Sequence, residues 1–174
     1  MSPKTSITVH DDIPDDAGRL IDAGLDASNL AAAPLHDVRP LSCFSRVGEG
    51  SAAVVVGGAA GRTWGTCCEL QQLWVAPAHR RRGLGAELVR AFEQHAAQRG
   101  CRRFYLETFS FQAPSLYRAL GYVVKHELHG FAPGIVKYFM VRAAAGREKA
   151  AHARLPRLAR IRIPTHAPRP ARSP

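Results

Sequence analysis

The 174-residue chain lacks a long apolar segment and contains only four cysteines. Its longest apolar run, AAVVVGGAAG at 52–61, is about half the ~20 residues that a membrane helix needs. The N-terminal residues contain no apolar core of a signal peptide. The cysteines form no C-x-x-C pair, and Cys67 and Cys68 would point to opposite faces of a strand, so we expect reduced thiols rather than disulfides or zinc ligands. These absences predict a cytoplasmic protein without a metal site.

Two nucleotide-binding motifs and one catalytic motif are also missing or incomplete. No G-x-x-x-x-G-K-[ST] occurs, which argues against a P-loop NTPase, and no G-x-S-x-G occurs, which argues against a serine hydrolase elbow. GEGSAA at 48–53 has the glycine spacing of a dinucleotide fingerprint, but that fingerprint must open a helix. Apolar and β-branched residues follow here instead, so the glycines indicate a hairpin turn.

Positive charge is concentrated at one end of the chain. The net charge is +10, and residues 146–174 hold eight Arg or Lys and one Glu, a share of +7. This segment is rich in proline and has no aromatic residue, so the sequence predicts a globular domain at 1–145 and a basic, disordered tail at 146–174. Such a tail could bind RNA, DNA or anionic lipid non-specifically, although a solvated terminus is the simpler interpretation.

Hydrophobic periodicity predicts an α/β fold with a mixed sheet and the order β-α-β-β-β-α-β-α-β-β. The segment GRTWG at 61–65 is predicted to be a turn. The predicted strands lie at 6–10, 41–47, 52–59, 66–75, 104–108, 122–128 and 135–141, and the predicted helices lie within 11–30 and at 83–99 and 114–120.

HRRRGLGAELVRAF at 79–92 places three arginines and a Gly-x-Gly between a strand that ends at Val75 and a helix that begins near Gly83. Free N–H groups and the dipole at a helix N-terminus favour anions, and glycines let a diphosphate approach the backbone. The alternative is a solvated loop whose glycines only cap the helix. The arrangement favours a phosphate-binding loop.

LWVAPAHRRRGLGAELV resembles motif A of the GCN5-related N-acetyltransferases, [Q/R]-x-x-G-x-[G/A] after a strand, with Arg80, Gly83 and Gly85 at the motif positions. FSFQAPSLYRALGYVV resembles motif B of the same family, a short helix with a tyrosine before G-[F/Y]. The resemblance covers about residues 5–142 and implies a mostly antiparallel central sheet flanked by helices. It also implies an enzyme that moves the acetyl group of acetyl-CoA to an amine.

The resemblance implies roles for particular residues. Tyr117 corresponds to the family's general acid, Glu69 to a base found in some members, and Glu107 is a weaker candidate for that base. Apolar neighbours beside Glu69 in its strand would raise the pKa of its carboxyl group. Ser110 stands where many relatives have an asparagine that contacts the coenzyme. The implied coenzyme-binding residues are Leu73, Trp74, Val75, Arg80, Arg81, Arg82, Gly83, Leu84, Gly85, Ala86 and Ser110.

The acceptor is left open by the sequence. The apolar segment NLAAAPLHDVRP offers few anchors for a highly cationic substrate, so a small-molecule primary amine is favoured over a protein amine. His126 and Glu127 would alternate faces of a strand, which argues against a metal site. The competing hypotheses are a catalytically silent CoA-binding protein and an RNA-associated protein that uses the basic tail. A homodimer is possible under each of these hypotheses.

Overall fold

The computed structural model describes residues 5–32 and 35–144, which form an α/β fold. Within these residues no helix is both long and apolar enough to cross a membrane. Short 3-10 helices lie at Leu35–Asp37, Gly50–Ala52 and Pro77–His79. The α-helices and strands are α1 (Asp15–Ala32), β1 (Arg39–Val47), β2 (Val54–Trp64), β3 (Cys67–Val75), α2 (Leu84–Gln98), β4 (Arg103–Phe109), α3 (Pro114–Ala119), β5 (Val123–Leu128) and β6 (Lys137–Ala143).

The six strands form one sheet in the order β1-β2-β3-β4-β6-β5. Four of the five neighbouring pairs are antiparallel, and only β3 and β4 run parallel. A parallel pair needs a crossover connection, which α2 supplies between these two strands. The predicted mixed and mostly antiparallel sheet, flanked by helices, is therefore confirmed.

The core lies between one face of the sheet and the helices α2 and α3. The apolar residues of α2 recur at helical spacing, and Leu88, Val89, Phe92 and Ala96 are all buried. The sheet and α3 contribute Leu41, Ala59, Cys68, Leu70, Phe104, Leu106, Tyr117 and Met140 to the same cluster. On the opposite face of the sheet Phe44, Trp64 and Trp74 remain about half exposed, and α1 buries none of its residues.

Two of the predicted elements are wrong. Residues 6–10 form no strand, and Ile7 and Val9 are each more than nine-tenths exposed, because a strand needs a neighbouring edge and this segment pairs with none of the described strands. The predicted order therefore loses its first strand. GRTWG is not a turn either, because β2 continues through Trp64 and reverses at Gly65.

Gly61 lies within β2 and not in the turn that the sequence predicts. A bulge interrupts the pairing of β2 with β3, where Leu70 pairs with Gly61 and Gln72 with Ala60, leaving Gln71 as the extra residue. A Cβ at Gly61 would lie 1.9 Å from the carbonyl oxygen of Glu69. Glycine is needed here for close approach of two strands within the sheet.

The remaining predictions for the elements are confirmed, including the hairpin at GEG and the helix that follows the arginines. All four cysteines are free thiols, and Cys68 is buried while Cys67 is partly exposed, as expected for opposite faces of a strand. The predicted basic tail at 146–174 lies outside the described residues, so the division of the chain at residue 145 stays a prediction.

Candidate active site

β3 and β4 separate halfway along their length. They pair from Cys67 with Arg103 to Leu70 with Leu106, and beyond that point β3 continues to Val75 and β4 to Phe109 without pairing to each other. The bulge at Gln71 lies where the separation begins. The edge of β3 that faces β4, which includes the predicted Leu73, Trp74 and Val75, therefore has unpaired backbone groups. An extended ligand with amides could bond to this edge as an added strand does.

The loop between β3 and α2 is held in a compact conformation at the end of this opening. The side chain of Arg80 turns back and donates from Nε to the carbonyl oxygen of Val75 at 2.8 Å. Arg81 has a positive φ of 61°, which is uncommon for a residue other than glycine, and Gly83 caps the helix with φ 89°. These two positions in left-handed conformation curl the backbone around the start of α2.

The curled loop leaves a run of backbone N–H groups without acceptors. No N–H from Arg81 to Ala86 has a hydrogen-bond acceptor among the described residues, and Glu87 is the first to bond, to the carbonyl oxygen of Gly83 at 3.1 Å. The helix dipole adds positive potential, and the side chains of Arg81 and Arg82 are exposed at the rim. Six consecutive unbonded donors at a helix N-terminus are an arrangement that suits an anion.

The start of α3 closes one side of this opening. A Cβ at Gly85 would lie 3.5 Å from Cδ2 of Leu116 and 3.9 Å from Cγ2 of Val75, so the first turn of α2 contacts both β3 and α3. Leu84 packs against the core beside it. The next residue of α3, Tyr117, is 7 % exposed and meets Tyr122 edge to face with ring centroids 5.9 Å apart. Burial raises the pKa of Tyr117 to about 12, so its phenol stays protonated at neutral pH.

Glu69 lies on the sheet face opposite to α2, in polar surroundings. Its Oε2 accepts from Nε of Arg62 at 2.6 Å and from Nε2 of Gln71 at 3.2 Å, and 21 % of the side chain is exposed. The expectation of apolar neighbours is therefore wrong, because the antiparallel register pairs Glu69 with Arg62 of β2. On its other side lies Tyr105 of β4, whose pKa is raised by burial and, to a smaller extent, by the Glu69 carboxylate.

Two further predicted residues make bonds within the protein. The hydroxyl of Ser110 donates to the carbonyl oxygen of Gly134 at 3.3 Å and accepts from the N–H of Val136 at 3.2 Å. It therefore ties the turn after β4 to the loop before β6. Glu107 forms an ion pair with Lys137 on the surface of the sheet. Glu107 is the weaker candidate for a base because 56% of its side chain is exposed, against 21% for Glu69.

No group of three or more His, Cys, Asp or Glu in residues 5–32 and 35–144 is arranged to hold a metal ion. His129 and Glu127 make an exposed contact of 3.6 Å between Nε2 and Oε2. The absence of a metal site stays a prediction for the protein.

Sequence reasoning missed a buried polar cluster behind Tyr117. The hydroxyl of Tyr122 donates to Oε1 of Glu93 at 2.6 Å, and Arg142 forms an ion pair with the other oxygen of the same carboxylate. Glu93 is 4 % exposed, and burial raises its pKa although both partners oppose that rise. The only signal was a glutamate within the apolar repeat of α2. The cluster fixes Tyr122, against which Tyr117 packs.

The matches to known proteins agree with this geometry. The sequence profile of the family described as "Acetyltransferase (GNAT) family" matches residues 15–122. A blasticidin-S acetyltransferase from Streptomyces morookaense is 30% identical over 114 residues, which is 65% of this chain and 84% of that protein.

Solved structures show the same fold. A crystal structure from Agrobacterium tumefaciens, described as an acetyltransferase, superposes with a TM-score of 0.69 and 25% identity over 80% of this chain and 100% of that one. An acetyltransferase from Bacillus cereus superposes with a TM-score of 0.65 and 22% identity over 79% and 98% of the two chains.

The fold and these matches define an acyltransferase enzyme. The chain belongs to the GNAT family of acetyltransferases.

Proposed function

We propose that this protein transfers the acetyl group of acetyl-CoA directly to the primary amine of a small molecule. The observation that carries the proposal is the run of six backbone N–H groups from Arg81 to Ala86 without acceptors, at the end of the unpaired edge of β3. A diphosphate fits the first feature and an arm with amide groups fits the second. Coenzyme A combines both.

In this proposal the N–H groups of the loop bind the pyrophosphate, and the exposed side chains of Arg81 and Arg82 screen its charge at the rim. Arg80 acts differently, because its guanidinium is already bonded to Val75 and holds the loop closed. The backbone at Leu73–Val75 bonds the amides of the pantetheine arm. The hydroxyl of Ser110 is bonded to Gly134 and Val136, so Ser110 stabilises the loop before β6 and does not contact the coenzyme.

Acetyl-CoA supplies a thioester whose carbonyl carbon the amine attacks, so that a C–N bond forms and the C–S bond breaks. Tyr117 donates its phenolic proton to the departing sulfur. The phenol carries this proton at neutral pH, as any tyrosine does, and burial raises its pKa further to about 12. The proton lost by the attacking nitrogen balances the one that Tyr117 gives.

Glu69 is proposed to accept the proton of the substrate ammonium, directly or through water. The hydrogen bonds from Arg62 and Gln71 both use Oε2 and hold the carboxylate in one orientation. Glu69→Gln keeps the shape and both neighbours but removes the base. We expect kcat/KM to fall by about 10²-fold near neutral pH and to recover partly at higher pH, where more of the amine is already deprotonated. An unchanged pH profile would exclude Glu69 as the base.

A small-molecule acceptor is supported by the relative that acetylates blasticidin S, of which this chain covers 84%. This match supports the class of acceptor and not its identity, since 30% identity leaves the loops around the site free to vary. A catalytically silent CoA-binding protein is the second candidate, and the same experiment separates the two.

The experiment is calorimetric titration of the purified protein with acetyl-CoA, followed by measurement of free thiol release with a panel of primary amines. We expect micromolar affinity and amine-dependent release of CoA. Binding without release for any amine would support the silent alternative. Failure of the full chain to bind acetyl-CoA would refute both.

A further inference from the structure

Three phenylalanine rings form a cluster at the end of β4. Phe111 stacks on Phe109 with ring centroids 5.3 Å apart and planes 12° from parallel. Phe131, from the loop between β5 and β6, meets Phe109 edge to face with centroids 5.2 Å apart and planes at 83°. The rings of Phe111 and Phe131 are thus nearly perpendicular to each other. The three rings form one aromatic group around Phe109, here called the corner.

Both outer rings of this corner are open to solvent, although large aromatic side chains usually bury their faces. Phe111 is 67% exposed and Phe131 is 49% exposed. The loops that carry them are tied together, because Ser110 bonds both the carbonyl oxygen of Gly134 and the N–H of Val136. The N–H of Ser110 also donates to the carbonyl oxygen of Val136 at 2.8 Å. These bonds hold the backbone next to Phe111 close to the loop that carries Phe131.

The corner lies on the face of the sheet where the proposed base lies. Burial alternates along β4, with Phe104, Leu106 and Thr108 buried towards α2, so Tyr105 and Phe109 point to the opposite face. Tyr105 pairs with Glu69 in register and shares that face with it.

The corner also lies on the part of β4 that has separated from β3. Leu106 is the last residue of β4 that pairs with β3, opposite Leu70, and Phe109 follows three residues later at the end of β4. A molecule bound at the corner would therefore lie at the open end of the gap between β3 and β4.

The charge around the corner is balanced. Nζ of Lys137 lies 5.8 Å from the ring centroid of Phe109 and is paired with the carboxylate of Glu107. An additional cation would be repelled by Lys137 and would find Glu107 already neutralised. An uncharged flat ring can instead stack on an exposed ring of the corner or meet its edge, the two arrangements that aromatic pairs prefer.

We propose that Phe111 and Phe131 bind an aromatic or heteroaromatic ring of the acceptor, and so select amines that carry such a ring close to the reacting nitrogen. This inference rests on the proposed acetyl transfer, because it names the substrate class of that same site. The two phenylalanines determine specificity and take no part in the chemical step.

The test compares 2-phenylethylamine with 2-cyclohexylethylamine, which share the linker and the primary amine but differ in the flatness and π-face of the ring. Dissociation constants are measured by ligand-observed NMR on the full chain saturated with CoA, for the wild type and for Phe111→Leu and Phe131→Leu. Phe44→Leu is the matched control, since Phe44 is 57% exposed and lies on β1, two strands away from β3. Comparing variants cancels any difference in the basicity of the two amines.

We expect the wild type and Phe44→Leu to prefer the phenyl compound by about tenfold, and each of the other two variants to reduce this preference to about twofold. An equal affinity of the wild type for both amines, or a preference that survives both substitutions, would overturn the inference. Acetylated product is measured separately. If both amines give product without preference, the proposed acetyl transfer stands and the proposed aromatic selection is refuted. If the phenyl compound binds more tightly but neither amine gives product, the aromatic site stands and the proposed acetyl transfer is refuted.

Discussion

Gly85→Ala separates the stability of α2 from its ability to bind a diphosphate. Gly85 is the second residue of α2 and does not have a positive φ, so alanine fits its backbone. A methyl group there would meet Leu116 at 3.5 Å and Val75 at 3.9 Å, which are ordinary contact distances. Because alanine restricts the unfolded chain and favours the helix, we expect the free energy of unfolding to rise by about 0.4–1 kcal/mol. The midpoint of thermal unfolding should rise by roughly 1–4 °C.

The same methyl group should leave coenzyme binding unchanged, because Gly85 stands at the motif position that accepts glycine or alanine. Gly83 stands at the position where the motif has only glycine, and its φ of 89° is left-handed. Gly83→Ala should therefore strain the curled loop and misplace its unbonded N–H groups. Loss of one hydrogen bond to a charged oxygen costs about 1.5–3 kcal/mol, which corresponds to roughly a 10- to 150-fold increase in the dissociation constant for acetyl-CoA.

The assay combines thermal unfolding with calorimetric titration of acetyl-CoA and of acetyl-pantetheine, which lacks the diphosphate. Gly24→Ala is the matched control, because Gly24 lies within α1 and a Cβ there would have no neighbour within 4 Å. It should gain stability and keep its affinity. Acetyl-pantetheine should bind the wild type and Gly83→Ala equally. A folded Gly83→Ala protein with unchanged affinity for acetyl-CoA would refute the assignment of this helix terminus to the pyrophosphate.

Three further predictions concern Tyr117 and the core. Tyr117→Phe should lower kcat by about 10²-fold or more and leave the dissociation constant of acetyl-CoA within about twofold; an unchanged kcat would exclude the phenol as the acid. Alkaline pH should destabilise the fold, because Tyr117 keeps its proton up to a pKa of about 12 while the unfolded chain releases it near 10.0, so the unfolded state binds fewer protons in that window. Urea titrations at about pH 9 and pH 11 measure how much the free energy of unfolding falls between the two pH values. This fall should be smaller in Tyr117→Phe than in the wild type by about 1.4 kcal/mol, and an equal fall in the two proteins would contradict the raised pKa of Tyr117. Phe92→Ala should lower the free energy of unfolding by about 3–5 kcal/mol, since Phe92 is 1% exposed in the centre of the core, and a loss below about 1 kcal/mol would mean that the core repacks around the gap.

Local patterns predicted most elements of the fold, for reasons that the structure makes clear. The apolar repeat of α2 and the glycines at both of its ends depend only on neighbours along the chain, and α2 forms as expected. Residues 6–10 have an equally regular alternation, but a strand exists only where another strand offers its edge. Gly61 shows the same limit, since its reason for being glycine is the carbonyl of Glu69 on the neighbouring strand.

The amino-acid sequence by itself determined that the chain has a strand, a loop with glycines and a helix in the order that an anion-binding terminus needs, because these features follow from residue types at short spacing. Only the tertiary structure decided what surrounds that terminus. The ion pair of Glu69 with Arg62 and the burial of Glu93 depend on the register of separate strands and helices. So does the packing of Phe111 and Phe131, which lie twenty residues apart in the sequence, on the same ring of Phe109. Contacts of this kind arise from long-range packing, which no local spacing encodes.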